Sequence, residues 1–158
     1  MSTEDLLITR IAAISERDRN GEETLSTCRS IRKAVFIDEQ GISSDLEWDG
    51  LDAACEHFVA YSSQPSSASA IGTARLRIET GHAKAQRVAV LASARGKGVG
   101  RRLMEAVEAR AKALGVREME LHAQTTVVEF YLELGYKTEG ATFREAGIEH
   151  LAMRKRLA

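Results

Sequence analysis

Three glycines at alternate positions, in Arg95-Gly96-Lys97-Gly98-Val99-Gly100-Arg101, constrain this chain more than any other stretch. The apolar run Arg87-Val88-Ala89-Val90-Leu91 precedes them and an amphipathic segment opening Leu103-Met104-Glu105-Ala106-Val107 follows, so the order reads strand, glycine-rich loop, helix. Glycine takes backbone turns barred to other residues, and here successive N–H groups can converge on one anion at a helix N-terminus. Arg95, Lys97 and Arg101 add positive charge at the same point. The natural occupant is a phosphate-bearing ligand, a diphosphate above all.

Two familiar phosphate loops do not fit. Val99 and Gly100 break the Gly-Lys-Ser/Thr ending of a P-loop, and Arg101 stands where a dinucleotide fingerprint needs its third glycine. For the loop by itself, the alternative is a tight strand-to-helix turn solubilised by basic residues.

A length of 158 residues is most simply one domain, 1–158, with room for a real core. Its 22 basic and 23 acidic side chains leave a formal net charge of -1, which gives no global pull toward nucleic acid or an anionic membrane. No apolar run approaches membrane-spanning length. The opening Met1-Ser2-Thr3-Glu4-Asp5 lacks the order of a signal peptide, so the expected location is cytoplasmic. Cys28 and Cys55 read as small buried apolar residues, and no metal site is expected, since His57 and His122 lack a suitably spaced partner.

Periodicity and turn signals predict a strand at 6–12, a helix at 22–36, an acid-rich loop at 38–52 holding Trp48, and strands at 56–61 and 70–78 joined by a polar turn, Ser62–Ser67. A strand at 86–91, the glycine loop, a helix at 99–114 stopped by Gly115, a strand at 118–122, a helix at 126–134 ended by Gly135, and strands at 137–143 and 150–156 complete the order. The class is mixed α/β, a central sheet flanked by helices.

Arg95-x-x-Gly98-x-Gly100 resembles the acetyl-CoA pyrophosphate loop of the GNAT superfamily of N-acetyltransferases. Downstream, Gln124-x-x-Val127-x-x-Phe130-Tyr131-x-x-x-Gly135-Tyr136 resembles a second motif of that superfamily, in register with the first. Arg32-x-x-x-Phe36, Glu39-Gln40-Gly41, Glu47-x-Asp49-x-x-Asp52, Ala54-x-x-His57, Gly72-Thr73-Ala74-Arg75-Leu76 and Gly147-Ile148-x-His150-x-x-Met153 are similar to the ElaA/YjcF-like branch. The resemblance implies an α/β (α+β) single-domain GNAT fold, with a mixed, mostly antiparallel sheet and splayed fourth and fifth strands. It also implies acetyl-CoA as cosubstrate and a small-molecule amine as acceptor, and leaves a homodimer open. Some of the same residues resemble acyl-homoserine-lactone synthases, a second reading. A non-catalytic acyl-CoA-binding regulatory domain is a third, and an intact Tyr131 stands against it.

By this resemblance the backbone of Val88 and Val90 pairs with the pantetheine arm. Loop N–H groups from Gly96 through Lys97, Gly98 and Val99 to Gly100 hold the pyrophosphate, with charge from Arg95 and Arg101. Gln124, where the motif has Asn, and Phe130, which also reads as core, complete the cofactor side. Phe36, Glu39, Gln40 and Arg75 are implicated on the acceptor side. Transfer expels a thiolate, and Tyr131 is placed to protonate it; an acid of this kind makes rates fall at high pH as the phenol deprotonates. The ammonium must lose a proton first, and Glu39 and His122 are the candidate bases. The acidic loop reads either as solvated surface or as a site for a cationic acceptor, with Arg32 and Arg75 neutralising some of its acids as buried ion pairs.

Overall fold

The computed structural model describes residues 6–11, 19–62 and 69–157. Past Ser62 the expected polar turn lies outside the described residues, as do Met1–Asp5 and Ala12, the last residue of the expected first strand. Seven strands form one sheet: β1 (Leu6–Ile11), β2 (Glu56–Ser62), β3 (Ser69–Glu79), β4 (His82–Val90), β5 (Glu118–Gln124), β6 (Lys137–Glu145) and β7 (Ile148–Arg156), in the order β1-β2-β3-β4-β5-β7-β6. Every pairing is antiparallel except β4 with β5.

That exception makes the site. β4 and β5 pair only at Ala83 with Met119 and Lys84 with Glu120, after which the strands separate. A parallel pair needs a crossover, supplied here by the glycine loop and α3 (Val99–Ala113). Leu103, Met104, Val107 and Ala111 form the buried stripe of α3, and Gly115 ends it at φ 81°. A Cβ on Gly72 of β3 would sit 2.9 Å from Val99 Cγ1 and 3.0 Å from Leu103 Cδ1, so its missing side chain lets α3 lie close on the sheet.

The opposite face carries α1 (Arg19–Arg32), which continues as a π-helix over Lys33–Glu39, and then a short α2 (Ser44–Glu47). Ile31, Val35 and Phe36 pack there against Ala89. A single wide turn of this kind inside a helix commonly marks a functional site. Sequence periodicity ends the helix at Phe36 because the i→i+5 winding shifts the stripe out of its 3.6-residue repeat. β4 also starts earlier than expected, at His82, because its inward residues Ala83 and Ala85 are alanines, weak strand formers. A final short helix, α4 (Val128–Glu133), follows β5 through one 3₁₀ turn.

Candidate active site

In the β3–β4 ladder Thr73 faces Ala89 and Arg75 faces Gln86, so Arg87 and Val88 together oppose Ala74. This is a β-bulge, with Arg87 in the left-handed region at φ 55°. Ala83 and Ala85 pack on the α3 side, and the bulge turns Arg87 to the same face as Gln86 before Val88 resumes the α3 side. The guanidinium of Arg87 reaches the carbonyl oxygen of Glu47 at 3.3 Å and the carboxylates of Glu47 and Asp49 at 3.1 and 3.2 Å. The kink that opens the sheet is thus tied to the acidic segment.

That segment is not a solvated loop. Glu47 and Asp52 are buried beside two guanidiniums that are each only 1% exposed, Arg32 and Arg75. Arg32 bonds Glu47 at 2.7 Å and Asp52 at 2.8 Å, Arg75 bonds Asp49 at 2.7 Å and Asp52 at 2.9 Å, and Arg29 reaches Asp52 at 3.0 Å. Burial alone raises a carboxyl pKa, yet hydrogen bonds from Arg75 and the Leu51 N–H hold Asp49 down at about 2. Asp52 is opposed by burial in the same way, and the charge of Arg32 with bonds from Arg32, Arg75 and Arg29 holds it lower still. Burial pushes the His57 imidazole pKa down, and its Nε2 lies 2.8 Å from the Asp52 carbonyl oxygen.

A cavity of about 1000 Å³ runs through the gap between β4 and β5. Volumes of that size suit a large ligand. Val88, Val90, Arg95, Gly96, Gly98, Val99, Gly100, Arg101, Gln124, Phe130, Tyr131, His122, Phe36, Glu39 and Gln40 all line it. Two of the expected site residues do not. Lys97 is exposed, its Nζ on the Ser93 carbonyl oxygen at 3.3 Å, and Arg75 is committed to Asp49, Asp52 and Gln86. Arg75 therefore positions the acidic segment and has no face toward an acceptor.

Along the loop, Gly96 and Gly98 adopt φ of 76° and 84°, and no side chain caps the N-terminus of α3. Gly100 answers a different need, since a Cβ there would meet Phe130 Cζ at 3.1 Å. Arg95 donates from Nε to the Val90 carbonyl oxygen at 3.0 Å and grips Glu39 through both terminal nitrogens at 2.7 and 2.8 Å. Those bonds hold the Glu39 carboxyl below its usual range. Glu39 is thus paired at the glycine loop. Beside it, Gln40 accepts a bond at 2.8 Å from the Gln124 amide at the end of β5. The end of the π-helix thereby joins the margins of both splayed strands.

Tyr131 lies in α4, buried between Phe130 and Tyr136 with edge-on ring contacts at 4.9 and 5.8 Å. Burial raises its phenol pKa well above the ordinary value, which moves the expected fall of rate to higher pH. His122 projects from β5 with Nδ1 3.2 Å from Glu145 Oε1. Arg87 and Arg29 were invisible as site residues in the sequence, because their partners lie at least 23 residues away, and Glu145 was missed although it meets His150 as well as the distant His122. Among the described residues no group of three or more His, Cys, Asp or Glu is arranged to hold a metal ion, and no helix is long and apolar enough to cross a membrane.

A family model described as acetyltransferase (GNAT) domain matches residues 34–157. One acetyltransferase of Bacillus subtilis strain 168 is 39% identical over 137 residues, 85% of this chain and 90% of its own length. The N-acetyltransferase YjcF of the same strain is 37% identical over 135 residues, covering 85% of this chain and 94% of its own length. The crystal structure of an N-acetyltransferase from Lactobacillus plantarum superposes with a TM-score of 0.83 at 31% identity, covering 97% of this chain and 99% of that one. Escherichia coli ElaA shares the fold, with a TM-score of 0.78 at 22% identity over 95% of this chain and 99% of its own.

Proposed function

The chain belongs to the GNAT acetyltransferase family, and from that premise we propose that it moves an acetyl group from acetyl-CoA to the amine of a small molecule, by direct transfer in a ternary complex. The observation that carries this reading is the separation of β4 and β5 beside the glycine loop. Among the described residues the β5-facing edge of β4 pairs with no strand past Lys84, so an extended pantetheine arm can add to Val88 as a strand would. The diphosphate then meets the N–H groups of Gly96–Gly100, with Arg101 adding charge. A cytoplasmic location suits the two free, buried cysteines, Cys28 and Cys55.

In the transfer, the amine attacks the thioester carbonyl and the C–S bond breaks. Tyr131 donates a hydrogen bond or a proton to the departing thiolate. Thiol release from acetyl-CoA across a panel of small amines tests the reading, and at least one amine class should yield free thiol and amide in equal amounts. Binding of acetyl-CoA with no thiol release from any amine would point to a regulatory domain. Dependence on S-adenosylmethionine would point instead to lactone synthesis. Tyr131→Phe should keep the Michaelis constant for acetyl-CoA while turnover falls, toward the lower end of the ~10² to 10⁴-fold that general acids contribute. A loss under about threefold would leave Tyr131 a packing role.

A further inference from the structure

On the α1 face of the cleft, three side chains from three strands meet: His122 of β5, Glu145 at the end of β6 and His150 of β7, all lining the cavity. Glu145 Oε1 is 3.2 Å from His122 Nδ1, and its Oε2 is 3.8 Å from His150 Nε2, so one carboxylate faces two imidazoles. His150 Nδ1 lies 2.7 Å from the Ile148 carbonyl oxygen, which only accepts, and that nitrogen therefore carries a hydrogen. Phe143 meets His122 edge-on at 5.0 Å and stacks on His150 at 6.0 Å, which restrains both rings.

The turn that presents Glu145 is a costly one. Ala146 and Gly147 have φ of 52° and 75°, the pattern of a two-residue primed hairpin turn. An alanine in the left-handed region costs roughly 1–2 kcal/mol. Backbone strain of this sort tends to gather where a site needs a particular geometry. Here it sets Glu145 over the cleft, half exposed and free of any arginine or lysine partner among the described residues.

We propose that His122 is the base that deprotonates the acceptor's ammonium and that Glu145 is the residue that positions it. This rests on the amine-acetylation reading above. With Nδ1–H donated to Glu145, the lone pair of His122 is on Nε2. The ammonium gives one proton to Nε2, and the resulting imidazolium stands between Glu145 and Glu120, whose Oε1 is 3.7 Å from Nε2. Facing this pair are Lys84 of β4, in register with Glu120, and Arg154 of β7, 3.7 Å from it. The freed electron pair of nitrogen forms the C–N bond, the C–S bond breaks, and the thiolate takes the Tyr131 proton. The second proton on nitrogen restores the phenol through solvent, and the His122 proton leaves to solvent, so one proton is released per amide formed.

The test pairs two readouts on the whole protein in the wild type, Glu145→Ala and Glu145→Gln: nitrogen-15 NMR of the His122 ring, and thiol-release kinetics with the best amine of the panel. Glu145 is half exposed, so both variants should fold. The wild-type ring should hold its proton on Nδ1, Glu145→Ala should lose that preference, and Glu145→Gln, which keeps an acceptor oxygen, should retain it. kcat should fall by about tenfold in Glu145→Ala, part of the 10²–10⁴ a placed base contributes, and be partly restored in Glu145→Gln, with the Michaelis constant for acetyl-CoA unchanged in both. An unchanged tautomer or an unchanged kcat in Glu145→Ala overturns the proposal. If no amine is acetylated, the function reading fails while the NMR still decides whether Glu145 sets the tautomer of His122.

Discussion

The two sides of the cleft are made of different material. On the α3 side the groups proposed to hold the cofactor are backbone N–H groups within one heptapeptide, 95–101, shaped by Gly96 and Gly98 at positive φ and by Gly100 against Phe130. On the α1 side they are side chains gathered from afar: Arg29 and Arg32 of α1, Arg75 of β3 and Arg87 of the bulge, closing on Glu47, Asp49 and Asp52. A backbone site is damaged by strain, and a charge network by the loss of any one partner. Substitutions on the first side should therefore change cofactor affinity with little loss of stability, and on the second the reverse.

Asp52→Ala should give the largest effect. Removing one partner from a buried, hydrogen-bonded ion pair costs about 3–5 kcal/mol. Thermal unfolding should record most of that loss, while the molecules still folded bind acetyl-CoA as the wild type does. Equal stability would mean that the network does not hold this side together.

Next comes Gly98→Val. At φ 84° a β-branched residue is strained by roughly 1–3 kcal/mol, and relief means moving the loop. Acetyl-CoA affinity by calorimetry should drop more than about tenfold with the fold intact. Full affinity in a folded variant would take the diphosphate away from this loop.

Acid sensitivity is the third contrast. Because the folded state holds Asp49 at about 2, below its unfolded value near ~3.9, the unfolded chain binds more protons between those values, and stability is lost as the pH falls through them. The wild type should lose melting temperature between about pH 4 and 2, and Asp49→Asn should show a flatter curve. Parallel curves would show that Asp49 gains nothing from Arg75.

The smallest effect belongs to Glu39→Gln. An exposed pair is screened by solvent and contributes little, so stability should barely move, and acetyl-CoA affinity should rise by no more than about fivefold once Arg95 is no longer shared. A collapse of turnover at unchanged affinity would instead make Glu39 the base.

How far the sequence reveals each side follows from the same contrast. The glycine loop, α3 and the Gly115 stop could be read directly, because every residue that shapes them is local. The opening of β4 from β5 could be anticipated only through resemblance, since it follows from a bulge at Arg87 whose ion partners lie some forty residues away. Periodicity missed the π-helix and so ran a loop from Asp38, where the chain in fact winds on to Glu39. The sequence marked Glu47, Asp49 and Asp52 as a motif with Arg32 and Arg75 as one reading of their partners, and folding chose that reading over a solvated loop, whereas Glu145 went unmarked. That carboxylate sits at a turn, and the His122 that it meets lies on another strand far off in the sequence.

The division between a backbone-built cofactor side and a side-chain-built acceptor side is tested most directly by amide hydrogen exchange, followed residue by residue with and without acetyl-CoA. Binding should slow exchange at Gly96, Gly98, Val99, Gly100 and Val88 and leave the amides of 44–54 unchanged. Protection that appeared across 44–54 and spared the glycine loop would contradict it.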